Sequence, residues 1–428
     1  MASPPGPSHP LSVFRHRDFR FYQLARLCAV LAVQIESVAI GWQVYEMTGS
    51  ALALGYTGLA QFVPFFTFAL IGGQVADRVD RRAILVVCQA VMLLCSLLLL
   101  AFSLGHIQDV RFVYGVLMLF GTARAFYAPA GSALTPRLVP AEDLTRAVAI
   151  NSTSWQVATI AGPAVGGLLY GWAGAEGAYI GSASLCALSV LWTVSLKVRT
   201  GRASSSAFSV ASVLAGFRFL RRQRVLLGSI TLDLFAVLFG GAVALLPIYA
   251  RDVLHTGPWG MGLLRSAPAL GAAAVAVVLA SRPLGRRAGW KMFISVGIFG
   301  VATLAFGLSR WLPLSVVALA VAGAADMVSV VVRGTLEMVA TPDEMRGRVG
   351  AVNMMCVGAS NELGEFRAGA FAEHLGPVAA VVSGALGTLV VVALWATAFP
   401  ELRRVDELEQ AAREPLPGEE PPAAASAH

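Results

Sequence analysis

Charged side chains are scarce in this sequence: Asp, Glu, Lys and Arg make up 13% of its 428 residues, whereas 57% are hydrophobic. A soluble domain carries roughly 25% charged and about 45–50% apolar residues, so a single core in water is excluded and a bilayer is the expected solvent. Lysine is scarcer still. Lys197 and Lys291 are the only two among 32 basic residues. The arginines cluster between apolar stretches, so the net charge of +7 reads as membrane topology and not as a nucleic-acid surface. Arginine and alanine in place of lysine also suit a GC-rich bacterial genome.

Cysteine is sparse too. Cys28, Cys88, Cys95, Cys186 and Cys356 all lie in apolar stretches and none forms a C-x-x-C pair, which leaves them as small core hydrophobes and offers no metal site. The six histidines sit in loops, at helix ends or in the termini, so any proton carried through the protein has to ride on carboxylates. No G-x-x-x-x-G-K-[ST] loop is present to cradle the phosphates of ATP. Without a nucleophile constellation, a metal cluster or an appended soluble domain, an enzyme, a cofactor and a membrane-embedded sensor are all disfavoured. The opening MASPPGPSHPLSVF lacks the basic region, apolar core and cleavage site of a removable signal peptide.

Long apolar runs are what the chain has instead. Crossing a ~30 Å hydrocarbon layer takes about 20 residues of helix. Cut at charges and Pro/Gly clusters, the runs give twelve candidate spans, at 20–46, 52–76, 82–104, 111–134, 145–172, 178–197, 225–250, 260–281, 290–308, 313–338, 348–373 and 377–399. One set of connections carries Arg15, Arg17 and Arg20; Arg78, Arg81 and Arg82; Arg137 and Arg146; Lys197 to Arg224; Arg282, Arg286, Arg287 and Lys291; Arg346 and Arg348; and Arg403 and Arg404. The opposite loops have only Arg111, Arg251 and Arg310. Basic loops stay in the cytoplasm, so both termini are expected there, in a bacterial inner membrane.

The chain also repeats itself. A shift of 202 residues lays Pro140, Glu142, Arg146 and Asn151 on Pro342, Glu344, Arg348 and Asn353, and Gly162, Gly167 and Gly174 on Gly364, Gly369 and Gly376. Two parallel six-helix halves follow, an architecture that puts a substrate site at midplane between them. The division expected is a first bundle at 1–197, a linker at 198–224, a second bundle at 225–400 and a disordered cytoplasmic tail at 401–428. In the linker, Val213, Phe217 and Leu220 recur at helical spacing beside Arg218, Arg221 and Arg222, the pattern of an interfacial amphipathic helix.

Between spans 2 and 3 stands Gly73-Gln-Val-Ala-Asp77-Arg78-Val-Asp80-Arg81-Arg82. Gly73 permits a close helix approach, and Asp80 suits the cap of span 3. The string resembles the G-x-x-x-D-R-x-x-R-R motif of the major facilitator superfamily, with Asp80 where that pattern often has Gly. The match falls at Gly73, Asp77, Arg78, Arg81 and Arg82, and the resemblance implies that Asp77, Arg78 and Arg81 hold the outward-facing state; the plainer reading is a positive-inside stop signal. The counterpart after span 8, Ser281-Arg-Pro-Leu-Gly-Arg286-Arg287, keeps the bases but has lost the acid.

In span 5, Gly162, Pro163, Gly166 and Gly167 form G-P-x-x-G-G, which resembles the antiporter signature of the same superfamily, a kink that in the family goes with export. An ordinary small-residue packing face is the alternative. The stretches 41–50, 59–64 and 361–365 look like its enterobactin-exporter-like branch for drug and siderophore efflux. The chain is thus expected to be an all-α integral membrane protein of twelve spans in two pseudo-symmetric six-helix bundles.

Ionisable groups at membrane depth cost several kcal/mol unless paired or hydrated, so each is a functional candidate. They are Glu36 in span 1, Arg124 in span 4, Asp233 in span 7, Asp326 and Arg333 in span 10, and Glu362 and Glu365 in span 11. The family lines its cavity with spans 1, 4, 7 and 10. The shift of 202 residues carries Arg124 onto Asp326, which suggests a pair across the cavity. The alternative pairs Arg124 with Glu36 and Asp326 with Arg333. Glu362 and Glu365 are either coupling carboxylates or a static network. Glu36 or Asp233, then Asp326, are the expected proton carriers. Trp42, Tyr45, Trp155, Phe126 and Tyr127 are candidates to stack on a flat substrate, the first two equally to anchor at the interface. The reading is a monomeric secondary exporter of a siderophore, antibiotic or similar metabolite, exchanging it for protons without ATP; an importer or facilitator of a small solute is the alternative.

Overall fold

The computed structural model describes residues 12–198, 210–282 and 286–406. Among them it consists of helices and their connections, with no strand. The long helices are α1 (Arg17–Thr48), α2 (Ala51–Arg78), α3 (Arg81–Leu104), α4 (Val110–Leu134) and α5 (Leu144–Val194), then α6 (Val210–Arg222), α7 (Arg224–Gly240), α8 (Gly257–Ser281), α9 (Ala288–Leu308), α10 (Leu312–Ala340), α11 (Asp343–Leu375) and α12 (Pro377–Ala398). A single turn, α13 (Pro400–Arg404), follows. Caps explain several starts: the carboxylate of Asp80 accepts from Arg82 N–H at 3.1 Å and so caps α3 as its position suggested, while Asp109 and Ser50 do the same for α4 and α2.

Nine helices among the described residues are long and apolar enough to cross a membrane. One of them holds two of the expected spans, because α5 breaks at Ala173 and Gly174, where Gly174 has φ 66°. Arms 144–172 and 175–194 result. Helices α4 and α11 are not among the nine. Span 7 is also discontinuous: α7 ends at Gly240, and short turns carry the chain to Val253. The carbonyls freed there are not left bare, since Arg367 donates from Nε to Leu238 O at 3.0 Å and from Nη2 to Phe239 O at 2.5 Å.

The repeat is legible in the contacts. Asn151 Nδ2 donates to Thr135 Oγ1 at 3.1 Å, and Asn353 Nδ2 donates to Glu337 Oε2 at 2.9 Å, so the two pairs are related by the same 202 residues. Gly376, the counterpart of Gly174, likewise has positive φ, 82°. In the first half α1 packs on α5, α5 on α3, α3 on α4 and α4 on α2; in the second α7 packs on α11 and α12, α12 on α9, α9 on α10 and α10 on α8. The halves meet where α5 crosses α8 and where α2 crosses α11.

These meetings run from one end to about mid-depth, where Gln156 Nε2 donates to Ala269 O at 2.7 Å. At the end away from the basic loops, one buried apolar core runs through both halves, from Tyr45, Leu54 and Phe120 to Tyr249, Met261 and Val381. At the basic end there are two separate cores, around Phe19, Leu85 and Leu134 and around Leu226, Met292 and Leu402. The molecule is sealed at the far end and divided at the basic one.

The linker helix α6 docks on the start of α11: Leu220 is buried, and a Cβ at Gly216 would stand 2.7 Å from Arg348 O. Leu214 and Phe217 face outward beside Arg218, Arg221 and Arg222, so Phe217 and Leu220 do not share one buried face. Residues 199–209, the Val213 side chain, and the tail beyond residue 406 lie outside the described residues.

Candidate functional site

Beneath the sealed end lies a small, partly open cavity between the halves, lined among others by Ser37 and Gly41 of α1, Thr57, Gly58 and Gln61 of α2, Met261 and Arg265 of α8, and Glu365 of α11. Its roof is built by glycines. A Cβ at Gly167 would stand 2.6 Å from Pro258 O and 3.0 Å from Gly262 Cα; one at Gly369 would stand 2.6 Å from Ala51 O and 3.0 Å from Gly55 Cα. The two crossings are pseudo-equivalent, and both need backbone on backbone. Polar latches lie above them. Ser50 Oγ and Leu52 N–H donate to Glu373 Oε2 at 2.9 and 3.1 Å, Tyr45 O–H donates to Asp252, and the Arg251 guanidinium sits 5.6 Å over the Tyr45 ring.

The charges of the site come from both halves. A Cβ at Gly58 would stand 2.8 Å from Glu362 Oε2 and 3.3 Å from Glu365 Oε2, so these carboxylates of α11 press on the backbone of α2. Arg265 and Arg124 are the cations within Coulombic range of both. Arg124, with its guanidinium 5.6 Å from the Phe65 ring, faces this carboxylate pair. Among the described residues no ion pair or hydrogen bond joins it to Asp326 or Glu36.

The other expected cavity charges are elsewhere. Glu36 is buried inside the first half, where it accepts from Ser182 Oγ at 2.7 Å and from Ser96 Oγ; it lies between α1, α3 and the second arm of α5, off the central cavity. Asp233 of α7 forms an ion pair with Arg333 of α10, their side chains 6% and 7% exposed. Arg333 is therefore committed to Asp233 and not to Asp326, and Asp326 makes no hydrogen bond or ion pair among the described residues. A one-residue step turns a helical side chain by about 100°, so depth alone did not tell which way Glu36 and Asp233 point. Trp42 and Tyr45 are buried as well, and Trp42 packs its ring 6.4 Å from that of Tyr170.

Within the G-P-x-x-G-G stretch, helical dihedrals continue through Pro163, and the break comes later at Ala173. Gly162 and Gly166 pack on α1, with a Cβ 2.5 Å from Gln34 Cβ and 2.9 Å from Ile35 Cα respectively, while Gly167 faces α8. The packing face is what the geometry shows. At the basic end, Arg81 is buried and donates to Ala76 O at 3.4 Å and Ala133 O at 3.1 Å, and Arg82 donates to Val194 O. Arg78 is exposed. The Asp77 side chain lies outside the described residues. Gly72, beside Gly73, marks a close approach, its Cβ position being 2.4 Å from Ala125 O.

Arg265 went unnoticed in the sequence although it stands inside span 8. The acid missing after that span is also found: Asp406 accepts from Arg286 Nε and Nη2 at 3.1 and 2.8 Å and from Arg287 N–H at 3.0 Å. Hydrogen bonds from Arg286, with further help from Arg287, outweigh partial burial and hold the Asp406 carboxyl below its usual range. A depressed folded pKa means that the contact is fully present above the unfolded value near ~3.9 and is lost only as pH falls through the lower folded one. Amide hydrogen exchange at residues 287–289, corrected for its intrinsic rate, should therefore give the same protection at pH 8 and pH 5, and Asp406→Asn should lower it at both. Protection that faded between those pH values in the unmodified protein would contradict the assignment.

Comparison with known proteins agrees with this geometry. Residues 8–426 match the family model described as Transmembrane secretion effector. The chain is 27% identical over 394 residues to the Enterobactin exporter EntS of Escherichia coli O1:K1 / APEC, covering 91% of this chain and 93% of that one, and 26% identical over 400 residues to that of Escherichia fergusonii, with the same coverage. Among solved structures it resembles a bacterial homologue of the lysosomal transporter Spinster in an inward-facing, occupied conformation (TM-score 0.68, 14% identity, 93% of this chain and 98% of that one). It also resembles a bacterial homologue of the iron transporter ferroportin in an inward-facing state (TM-score 0.69, 15% identity, 91% and 99%). This chain belongs to the transmembrane secretion effector family of the major facilitator superfamily, and is a multi-pass membrane transporter and not an enzyme.

Proposed function

We propose that this protein exports a small organic molecule from the bacterial cytoplasm by alternating access, in exchange for protons. The observation that carries the reading is the single core at the far end set against two separate cores at the basic end, with a charged cavity where they diverge. With the basic loops in the cytoplasm, both described ends of the chain lie there and the cavity communicates with that side. Export as the direction is supported by relatives named as enterobactin exporters; a siderophore, antibiotic or related metabolite is the substrate class this suggests. Helices α4 and α11 complete twelve spans, and α6 with its flanking residues links two bundles at 1–197 and 225–400 in a monomer.

Coupling is assigned to Glu362 and Glu365. Asp233 is occupied by Arg333 and Glu36 by two serines, whereas the α11 carboxylates stand at the junction that must open and close. When the halves rock, their distance to Arg124 on the other half changes, and with it their hold on a proton. Gly73, Asp77, Arg78, Arg81 and Arg82 then serve the opposite state, in which the basic end closes.

The test is uptake into inside-out vesicles carrying the purified protein, with an acidic lumen imposed and a panel of siderophores and drugs outside. Accumulation that requires the gradient and disappears in Glu362→Gln/Glu365→Gln supports the reading. Transport indifferent to the gradient rules out antiport.

A further inference from the structure

We infer that the cavity is a two-point site for a zwitterionic organic molecule, whose oxyanion is taken by Arg265 and whose ammonium group is taken by Glu365. The inference rests on the export reading above, since it concerns the same cavity. Arg265 and Glu365 both line it, one from α8 and one from α11, yet among the described residues neither takes part in an ion pair. No hydrogen bond among the described residues receives the Arg265 guanidinium either. A guanidinium has five donors and no acceptor, and at membrane depth an unmet charge is costly. Two opposite charges line one cavity without an ion pair between them among the described residues, so each can still take a partner. A molecule bearing both signs supplies both partners at once, whereas a simple cation or anion leaves one of them unmet.

The wider electrostatics agree. Glu362 and Glu365 are balanced by Arg124 and Arg265, the cations that reach them. An entering ion of either sign would upset that balance; a zwitterion leaves it intact. The rest of the wall is mixed. Ile40, Leu54, Val243, Pro247 and Met261 offer an apolar surface for the body of the molecule, and Ser37, Thr57 and Gln61 offer acceptors. The arrangement also explains why exchange follows. An ammonium group and a proton compete for the Glu365 carboxylate, so a loaded site cannot keep its proton, and substrate and proton must travel in turn.

Three molecules of one skeleton test this: phenylalanine, 2-phenylethylamine and 3-phenylpropionate, each titrated into the detergent-purified full-length protein while its thermal unfolding is followed. Phenylalanine should stabilise the protein at a concentration about tenfold lower than either singly charged analogue. In Arg265→Gln, 2-phenylethylamine should draw level with phenylalanine; in Glu365→Gln, 3-phenylpropionate should. Arg265→Lys keeps the charge and should keep the ranking, and it decides the point if Arg265→Gln fails to fold. The inference is overturned if either analogue matches phenylalanine on the unmodified protein, if none of the three stabilises it, or if the ranking survives both neutralisations. The vesicle assay reads the other claim separately. Gradient-driven uptake without this ranking would leave export standing and remove the zwitterion; the ranking without uptake would do the reverse.

Discussion

Asp233→Ala is expected to destabilise the protein by about 3–5 kcal/mol, the range for breaking a buried ion pair by removing one partner. The pair joins α7 to α10, and both side chains are almost fully enclosed. Loss of the carboxylate strands the Arg333 guanidinium where water cannot reach it. Glu337, one turn further along α10 and within Coulombic range of Arg333, offers partial compensation, which places the expectation toward the lower end of that range. Asp233→Leu/Arg333→Leu should recover most of the loss, because apolar side chains of similar size replace both charges. Thermal unfolding in detergent, monitored by tryptophan fluorescence, measures the ordering: unmodified protein, then the double variant, then the single. A single variant as stable as the parent, or a double variant no better than the single, would show that the pair does not hold these helices together.

That pair also marks what could and could not be read from the chain. Apolar runs and basic loops located the helices closely, with arms of α5 at 144–172 and 175–194 against expected spans at 145–172 and 178–197. The repeat located Asn151 and Asn353, which make the same contact in each half. Partners were another matter. Asp233 and Arg333 are a hundred positions apart, and nothing in either neighbourhood names the other. Asp326, two turns from Arg333, was the more obvious choice on one helix, but helical geometry alone does not say whether a neighbouring helix brings a nearer acid. The acid absent after span 8 was sought locally, whereas Asp406 supplies it from 120 residues downstream. Glu365 of the cavity and Arg124 near it were visible as charges in apolar segments, whereas the serine cradle of Glu36, off the cavity, was not, because serines are unremarkable in a membrane helix. With 43 glycines in the chain, composition also could not show which of them carry the crossings between halves.

Those crossings give the other large expectation. Gly167→Ala and Gly369→Ala should each shift the balance from the far-end-closed to the far-end-open state by about 5- to 150-fold, the equivalent of about 1–3 kcal/mol of overpacking. The added methyl would meet backbone at 2.6 Å in both cases, and backbone inside a packed helix cannot turn aside as a long side chain can. The helices must separate, and with them the roof of the cavity. Because the two sites are pseudo-equivalent, the effects should be similar in size, and the double variant should populate the open state almost completely. Gly171, on the same arm of α5 but with nothing within 4 Å of its Cβ position, is the control: Gly171→Ala should leave the balance unchanged. Spin labels on His106 and Arg310, in loops of opposite halves at the far end, report the separation by double electron–electron resonance in a background without the native cysteines. A longer distance in Gly167→Ala and Gly369→Ala, together with transport reduced at least severalfold, is the expected result. An unchanged distance with transport intact would mean that the far end does not depend on these contacts to close. A change in only one variant would mean that the halves seal unequally, with α2 and α11, which Glu373 also latches, tolerating the methyl that α5 and α8 cannot.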